Sequence, residues 1–260
     1  MSAPKDQHFL TNPRIASRIA GFVEVGGRRV LEIGPGTGAL TRELLERGAF
    51  VSAVELDPGL VEDLRVRFAT EIDEGRFEVV QGDAIRDPLP ECTLVVSNLP
   101  YSASSRIVFR LLREGFEVAV LMFQKEFARR MAAPVGTPGC GRLSVMVQTY
   151  ARVKPLMEVG PSAFTPRPKV RSWVVRITPR DPPHPIRDHR VYADLVRVLF
   201  SHRRKMVRKA LRSEPETFDE ERVGGVLDEL PDEVLRSRAE ELSLDEFARI
   251  ANALVDASIR

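Results

Sequence analysis

The quartet Asn98-Leu99-Pro100-Tyr101 carries the residue types in this sequence that best suit chemistry, because it can hold an exocyclic amino group. It directly follows an apolar run that is typical of a strand. The Asn98 side-chain carbonyl and the Leu99 backbone carbonyl can accept the two hydrogens of such a group. Tyr101 offers an aromatic face to a flat ring, and Pro100 restricts the turn. Asn-x-Pro also closes strands in ordinary loops, so the quartet predicts an amino-group site only together with a second motif.

That second motif is the glycine-rich loop Gly34-Pro35-Gly36-Thr37-Gly38, which follows a short apolar strand. Glu55 lies 21 residues after Gly34, at the end of the next predicted strand, where it can bind ribose hydroxyls. This spacing fits NAD and S-adenosylmethionine equally, and a tight turn without any ligand is a further alternative. Two details favour S-adenosylmethionine. Pro35 lacks the N–H that a pyrophosphate needs, and Asp83, at the end of the third predicted strand, can accept from an adenine amino group.

The elements that must position these residues follow an alternating pattern. Short apolar strands alternate with amphipathic helices up to Met131, which predicts a parallel α/β sheet with helices on both faces. Two last strands bring the number to seven. The strands are expected at 30–33, 50–55, 77–80, 93–97, 118–123, 151–159 and 172–177. A proline-rich stretch at 178–185 predicts a linker, so we expect a catalytic domain at 1–180 and a small all-α domain at 186–260.

Charge is distributed unevenly along the chain. From Ser213 onwards there are 14 acidic and 5 basic residues, although the whole chain carries +2. The segment 201–212 is basic and has no acidic residue; Arg204, Lys205, Arg208 and Lys209 are predicted to share one helical face that contacts nucleic-acid phosphates. Arg106, Arg110 and Arg113, on the helix after the quartet, can extend this surface. A merely solvated helix surface is the alternative.

Several classes of protein do not fit the sequence. It has no apolar run of 18 residues, which argues against a membrane span, and its polar first residues argue against a signal peptide. Cys92 and Cys140 lie far apart, so we expect reduced thiols and a cytoplasmic protein. The four histidines form no ligand cluster, so no metal is expected. We expect a monomer.

Taken together, the motifs resemble those of the rRNA adenine N6,N6-dimethyltransferases, especially the small-subunit type. The resemblance covers nearly the whole chain and places the family's motifs in order. They are Gln7-His8-Phe9-Leu10, Glu32–Gly38, Glu55–Asp57, Gly82–Ala84, Asn98–Tyr101, Gly141–Val145, Pro161–Val170 and a basic helix with Phe200 and Arg203. It implies a Rossmann-like S-adenosylmethionine methyltransferase fold with a mostly parallel seven-stranded sheet and a C-terminal helical RNA-binding domain.

The resemblance also implies roles for particular residues. Those expected to contact S-adenosyl-L-methionine are His8, Leu10, Gly34, Gly36, Glu55, Asp83 and Asn98. Spacing alone would assign His8 and Leu10 to a frayed terminus. Phe164 is expected to join Tyr101 in holding the target base, beside Asn98 and Leu99 in the catalytic set, and a buried anchor is the alternative for Phe164. Arg203 joins the RNA-binding residues.

The implied substrate is a loop near the 3′ end of small-subunit rRNA, in which two adjacent adenosines each receive two methyl groups. The immature small ribosomal subunit is the expected partner. Two alternatives remain open. One is a large-subunit rRNA adenine methyltransferase of the antibiotic-resistance type, and the other is a ribosome assembly or transcription factor that uses the same fold.

Overall fold

The computed structural model describes residues 8–257. Gln7, the first residue of the Gln-His-Phe-Leu motif, lies outside the described residues. So do residues 1–6 of the predicted catalytic domain and residues 258–260 of the predicted helical domain. The chain divides into two compact units. The first contains the N-terminal part up to Ala128 and the segment Arg152–Pro179, and the second contains Arg129–Ala151 and the part from Arg180 onwards.

All seven predicted strands are present, and two short strands accompany them in the described part of the chain. In chain order the strands are β1 (Phe9–Leu10), β2 (Arg29–Ile33), β3 (Phe50–Glu55), β4 (Phe77–Gln81), β5 (Leu94–Asn98), β6 (Val118–Gln124), β7 (Ala151–Val159), β8 (Phe164–Thr165) and β9 (Ser172–Pro179). The predicted strand bounds are correct to within two residues, and the central strands β2, β3, β5 and β6 are buried apolar runs of the kind that periodicity detects.

The seven long strands form one mostly parallel sheet in the order β4-β3-β2-β5-β6-β9-β7. Strands β2 to β6 pair in parallel, and β9 pairs antiparallel with β6. The strand order changes direction between β2 and β5. In open α/β sheets such a switch leaves a crevice at the carboxyl ends of the strands, which is where ligands bind. The glycine loop follows β2 and the Asn-Leu-Pro-Tyr quartet follows β5, so the fold brings both motifs to this crevice.

Helices follow the strands as the alternating pattern predicts. They are α1 (Pro13–Ala20), α2 (Ala39–Glu46), α3 (Pro58–Arg67), α4 (Ala69–Asp73), α5 (Ser104–Glu114), α6 (Lys125–Ala132), α7 (Arg142–Tyr150), α8 (His189–Ser201), α9 (Val207–Leu211), α10 (Glu220–Glu229), α11 (Asp232–Arg236) and α12 (Leu244–Asp256). None of these helices is long and apolar enough to span a bilayer.

The short strands β1 and β8 hold the first described residues against the rest of the first unit. They pair antiparallel, with Leu10 opposite Phe164 and Phe9 opposite Thr165. The backbone N–H of Thr11 donates to the carbonyl of Ala163 across 2.9 Å, which extends the pairing. Residues from 8 onwards are therefore part of the packed structure and are not a frayed terminus.

The helical unit differs from the predicted domain in one boundary. The predicted catalytic domain ran to residue 180, but residues 129–151 belong to the helical unit. The reason is packing: Cys140 and Val145 lie in one apolar cluster with Leu195 and Leu199 of α8. The hydroxyl of Thr149 on α7 also lies 2.8 Å from the Tyr192 hydroxyl on α8.

Candidate active site

A cavity of about 410 Å³ opens at the carboxyl ends of β2, β3 and β5. All the predicted cofactor-binding residues line it, as do three of the four predicted catalytic residues and one predicted RNA-binding residue. These are His8, Leu10, Gly34, Gly36, Glu55, Asp83 and Asn98, then Leu99 and Tyr101, and Arg106. The cavity is thus built from motifs that are far apart in sequence.

The glycine loop after β2 needs glycine for its backbone and for its close contacts. Gly34, Gly36 and Gly38 all have positive φ, a region that side chains with a Cβ rarely adopt. A Cβ on Gly36 would lie 2.7 Å from the Phe9 ring, and one on Gly38 would lie 2.6 Å from the Phe68 ring. The loop therefore lets the segment around Phe9 approach closely from one side of the cavity.

Glu55 presents a carboxylate that the backbone holds in place. It is 5% exposed, and its Oε1 accepts from the N–H groups of Leu56 and Asp57 across 2.8 and 3.1 Å. Its Oε2 accepts from Gly36 across 3.1 Å. Three N–H donors orient the group. A fixed carboxylate at the end of β3 is suited to accept hydrogen bonds from the hydroxyls of a ribose.

A second carboxyl group, that of Glu32, lies deeper in the lining of the same cavity. Glu32 is 1% exposed, and burial raises its pKa to about 8, with the nearby Glu55 adding to the effect. The Thr41 hydroxyl donates to Glu32 Oε2 across 2.7 Å and partly opposes this shift. Glu32 is therefore mostly protonated at neutral pH.

Asn98 is oriented by the N-terminal segment. Its side-chain N–H donates to the backbone carbonyl of His8 across 3.2 Å, which leaves the carbonyl oxygen of the same amide as an acceptor at the cavity. The turn behind it is closed by Ser104 and Ala103, which both donate to the Pro100 carbonyl across 3.1 Å. The amide of Asn98 is turned toward the cavity and not into the packed interior.

Tyr101 is held at its hydroxyl end. The hydroxyl lies 2.8 Å from the Ser172 hydroxyl on β9, and the ring lies 5.6 Å from the His8 ring, centroid to centroid. Partial burial raises the pKa of Tyr101, so the phenol is neutral at physiological pH. Sequence reasoning missed Ser172, because no local pattern connects a strand residue with a tyrosine 71 positions earlier.

Asp83 lies in a turn that α5 supports. Its Oδ1 accepts from the N–H of Ile85 across 2.9 Å, and the next carbonyl, that of Ala84, accepts from Arg110 Nη1 across 3.0 Å. Arg110 is 8% exposed and also donates to Glu114 across 2.7 Å. The prediction that Arg110 belongs to an RNA-binding surface is therefore wrong, because its guanidinium group is buried against the Asp83 turn.

Comparison with known proteins identifies the family. The family model described as Ribosomal RNA adenine dimethylase matches residues 5–254. The chain belongs to this family. It is therefore an rRNA adenine dimethyltransferase with the S-adenosyl-L-methionine-dependent methyltransferase fold, and S-adenosyl-L-methionine is its cofactor.

Three individual proteins illustrate the similarity. A relative from Methanospirillum hungatei, called probable ribosomal RNA small subunit methyltransferase A, is 54% identical over 254 residues, which are 98% of this chain and 99% of the relative. A crystal structure of a dimethyladenosine transferase from Plasmodium falciparum has a TM-score of 0.81 at 28% identity, covering 96% of this chain and 98% of that one. The 23S rRNA methyltransferase ErmE has a TM-score of 0.68, also at 28% identity, covering 95% and 99%.

One predicted residue of this dimethylase lies elsewhere. Phe164 is 2% exposed and belongs to the apolar core of the first unit, together with Leu10 and Val159. It does not line the cavity. Its position on β8, opposite Leu10, shows why: the ring anchors the β1–β8 pair from inside. Phe164 therefore lies in the core of the first unit and not in the cavity lining, and its place beside Tyr101 stays a prediction.

The predicted RNA-binding segment of the dimethylase is not one continuous helix. Helix α8 ends at Ser201, a turn follows, and α9 begins only at Val207. Contacts with a distant segment cause the break. Met206 has an extended backbone and forms an isolated antiparallel β-bridge with Arg238, and the Val207 N–H donates to the Ser237 carbonyl. The prediction of one helical face for residues 204–212 is therefore wrong.

The basic side chains in this segment differ in their partners. Arg203 pairs with Glu240, and Arg208 pairs with Asp232. The Lys205 ammonium donates to the Ser213 hydroxyl across 2.8 Å. Arg204 and Lys209 are exposed and form no ion pair within residues 8–257. Arg204, Lys205 and Lys209 thus keep the charge that is most available to a polyanion.

Proposed function

We propose that this enzyme dimethylates the N6 amino groups of two adjacent adenosines in a loop near the 3′ end of small-subunit rRNA. The observation that carries the proposal is that Asn98 and Leu99 line the same cavity as the glycine loop. The similarity to relatives named for the small-subunit rRNA supports the choice of substrate.

The residues present fit the cofactor. Glu55 would accept from the ribose hydroxyls, and Asp83 would accept from the adenine amino group of the cofactor. Gly34 and Gly36 have no Cβ, so the backbone of the loop can approach the cofactor closely. At Gly36 a Cβ would also collide with the Phe9 ring. His8 and Leu10 would close over the methionine end, and Asn98 would contact the cofactor as well as the target base. When bound, S-adenosyl-L-methionine supplies a methyl group on a positively charged sulfur.

The protein's part of the chemistry is orientation. An adenine amino nitrogen is a weak nucleophile, because its lone pair is delocalised into the ring. Asn98 Oδ1 and the Leu99 carbonyl would accept the two N–H groups, favour a pyramidal nitrogen and aim its lone pair at the methyl carbon. Such positioning can supply several kcal/mol of barrier reduction. No strong base is needed, because the alkylated nitrogen becomes acidic and loses its proton to water.

The target base must leave its stack to reach these acceptors, and Tyr101 would receive it. Stacking on an aromatic ring offsets the cost of unstacking by about 1–3 kcal/mol per base. The bond to Ser172 holds the Tyr101 ring in one orientation. Phe164 would contribute indirectly, because it anchors β8 against β1 and so keeps His8 at the cavity.

RNA phosphates would be bound by exposed cations in both units. Arg106 is exposed at the cavity lining of the first unit. In the helical unit, Arg204, Lys205 and Lys209 are the main candidates, whereas Arg203 and Arg208 would first have to leave their acidic partners. We place the enzyme in the cytoplasm as a monomer that acts on the immature small subunit; its two cysteines form no disulfide.

The proposal is tested by methyl transfer from labelled cofactor to immature small subunits, to large-subunit RNA and to the purified small-subunit rRNA. We expect transfer to small-subunit RNA, and the mass of a digested fragment should show two adjacent dimethylated adenosines. Transfer only to large-subunit RNA would instead assign the activity of the resistance enzymes, in line with the similarity to ErmE. Tight binding without any transfer would indicate an assembly factor.

A further inference from the structure

Trp173 is the single tryptophan of the chain, and it lies beside the candidate active site. It follows Ser172 on β9, and the Ser172 hydroxyl lies 2.8 Å from that of Tyr101. It pairs with Phe123 across the antiparallel β6–β9 ladder, at the end of the sheet where the cavity opens. The Trp173 side chain is partly exposed, whereas Phe123, its partner across the ladder, is buried.

Glu158 and Lys125 contact the indole ring, and Arg171 holds Glu158 in place. Its N–H donates to Glu158 Oε2 across 3.1 Å, and Lys125 Nζ lies 2.9 Å from the same oxygen and 5.7 Å from the ring centroid. Arg171 pairs with the other Glu158 oxygen. The hydrogen bonds from Trp173 and Lys125 hold the pKa of Glu158 down at about 2, so the carboxylate is charged at neutral pH. An immobilised ring loses little conformational entropy when a ligand stacks on it.

Positively charged residues contact Trp173 or lie within six residues of it in the sequence. The loop before β9 exposes Arg167, Lys169 and Arg171, and Lys125 lies at the start of α6. Glu158 is the acid that pairs with two of these four cations, so the group keeps a net positive charge. The loop contacts one residue of the cavity wall, because the Pro166 carbonyl lies 2.8 Å from Nδ1 of His8. A fixed aromatic ring among cations matches the chemistry of single-stranded nucleic acid, which offers base faces and phosphates.

We propose that Trp173 and the cations Lys125, Arg167, Lys169 and Arg171 form a second nucleotide subsite, in which an unpaired RNA base next to the target adenine stacks on the indole ring. The cations bind the adjacent phosphates. This inference rests on the proposed function, because it needs an RNA loop at the cavity. The nucleotide that flanks the target adenosine would thus bind at Trp173, while the methylated base occupies the cavity.

Intrinsic fluorescence tests the proposal, since Trp173 is the only tryptophan that can emit. The probe is an RNA hairpin with two adjacent adenosines in its loop, and the control is a fully paired RNA duplex of equal charge. We expect the Trp173 emission to be quenched as the hairpin binds. The quenching should saturate over the same range of hairpin concentration as methyl transfer to the hairpin. The duplex should quench far less, because it has no free base to stack.

Variants separate stacking from folding. We expect Trp173→Leu to raise the KM for the hairpin about tenfold, with a smaller change in kcat. Trp173→Phe keeps an aromatic face and should restore most of the affinity, which a purely structural role of the indole N–H would not allow. Phe50→Leu is the matched control, because Phe50 is also an exposed aromatic residue but begins β3, which β2, β5 and β6 separate from β9 in the sheet.

The outcomes also separate this inference from the proposed function. If the wild-type enzyme methylates the hairpin while its fluorescence stays constant, and Trp173→Leu has a normal KM, the subsite is refuted and the methyltransferase function stands. If the wild-type enzyme neither binds nor methylates any unpaired adenosine, both fail.

Discussion

The side-chain amide of Asn98 donates a hydrogen bond to the backbone carbonyl of His8, 90 residues earlier in the chain, across 3.2 Å. Because the N–H group of the amide is engaged, its oxygen is the atom left to face the cavity. The contact joins the two ends of the candidate site, one after β5 and one in the N-terminal segment. It makes the orientation of the Asn98 amide depend on the position of His8.

Asn98→Ala should therefore lower kcat by a factor of about ten to a thousand, because it removes one of the two acceptors that orient the amino group. RNA binding should persist, since the phosphate contacts lie elsewhere. Single-turnover methyl transfer and a filter-binding assay measure the two effects. Asn12→Ala is the control: Asn12 caps α1, so its loss should cost about 1 kcal/mol of stability and leave kcat unchanged. A wild-type rate in Asn98→Ala would remove Asn98 from the mechanism.

The hydrogen bond between the Tyr101 and Ser172 hydroxyls predicts that substitutions of the two residues have non-additive effects on RNA binding. Tyr101→Phe and Ser172→Ala each break the same hydrogen bond, so each should raise the KM for RNA modestly, by about twofold to fivefold. The double variant should be little worse than either single one, because there is only one bond to lose. Tyr101→Ala, which also removes the stacking face, should raise the KM at least tenfold. Additive effects of the two mild substitutions would show that the hydroxyls act independently.

Arg110 should act on the cofactor through the Asp83 turn. Arg110→Met leaves the Ala84 carbonyl and the Glu114 carboxylate without their partner, which should cost about 1–3 kcal/mol of stability. The KM for S-adenosyl-L-methionine should rise several-fold, while the KM for RNA stays the same. Arg113→Met is the matched control, because Arg113 is on the same helix but exposed. Thermal unfolding with and without cofactor distinguishes the two variants, and equal behaviour would contradict a positioning role.

The protonation of Glu32 predicts how stability changes with pH. Its pKa is about 8 in the folded protein against 4.5 in the unfolded reference, so the folded state binds the extra proton between these values. Its contribution to stability is complete below pH 4.5 and is lost progressively as the pH rises through about 8. Glu32→Gln cannot ionise and should lose less stability over this range. Melting temperatures of the cofactor-free proteins from pH 5 to pH 9 test this, and parallel curves would refute it.

The free cations of the helical unit predict a salt effect. Lys209→Ala should weaken RNA binding and reduce the slope of log affinity against log salt by about one, because it removes one phosphate contact. Arg208→Ala should change the slope less, since Arg208 is already paired with Asp232. Fluorescence anisotropy at several salt concentrations measures both slopes. A slope that neither substitution changes would place the phosphate contacts outside α9.

The sequence predicts the parts of this fold that depend on local patterns. The strands from β2 to β6 and the helices between them follow from apolar runs and glycine stops, and the spacing of Gly34, Glu55 and Asp83 placed them at strand ends. The pair β1–β8 has two residues per strand and no periodicity, so no local pattern predicts it. Neither the burial of Arg110 nor that of Phe164 follows from a local pattern. Whether a side chain is buried depends on partners far away in sequence, and helical spacing or position in a loop does not reveal them.

The pairing of Leu10 with Phe164 has a consequence for the timing of synthesis. The wall of the cavity formed by His8 and Leu10 stays in place only if the segment around residues 163–166 is there to hold it. A chain emerging from the ribosome can thus form its glycine loop and its Asn-Leu-Pro-Tyr turn early, yet it cannot complete the site until most of the first unit has been made. Nascent fragments that end before residue 163 would hold the motifs of the enzyme without its activity.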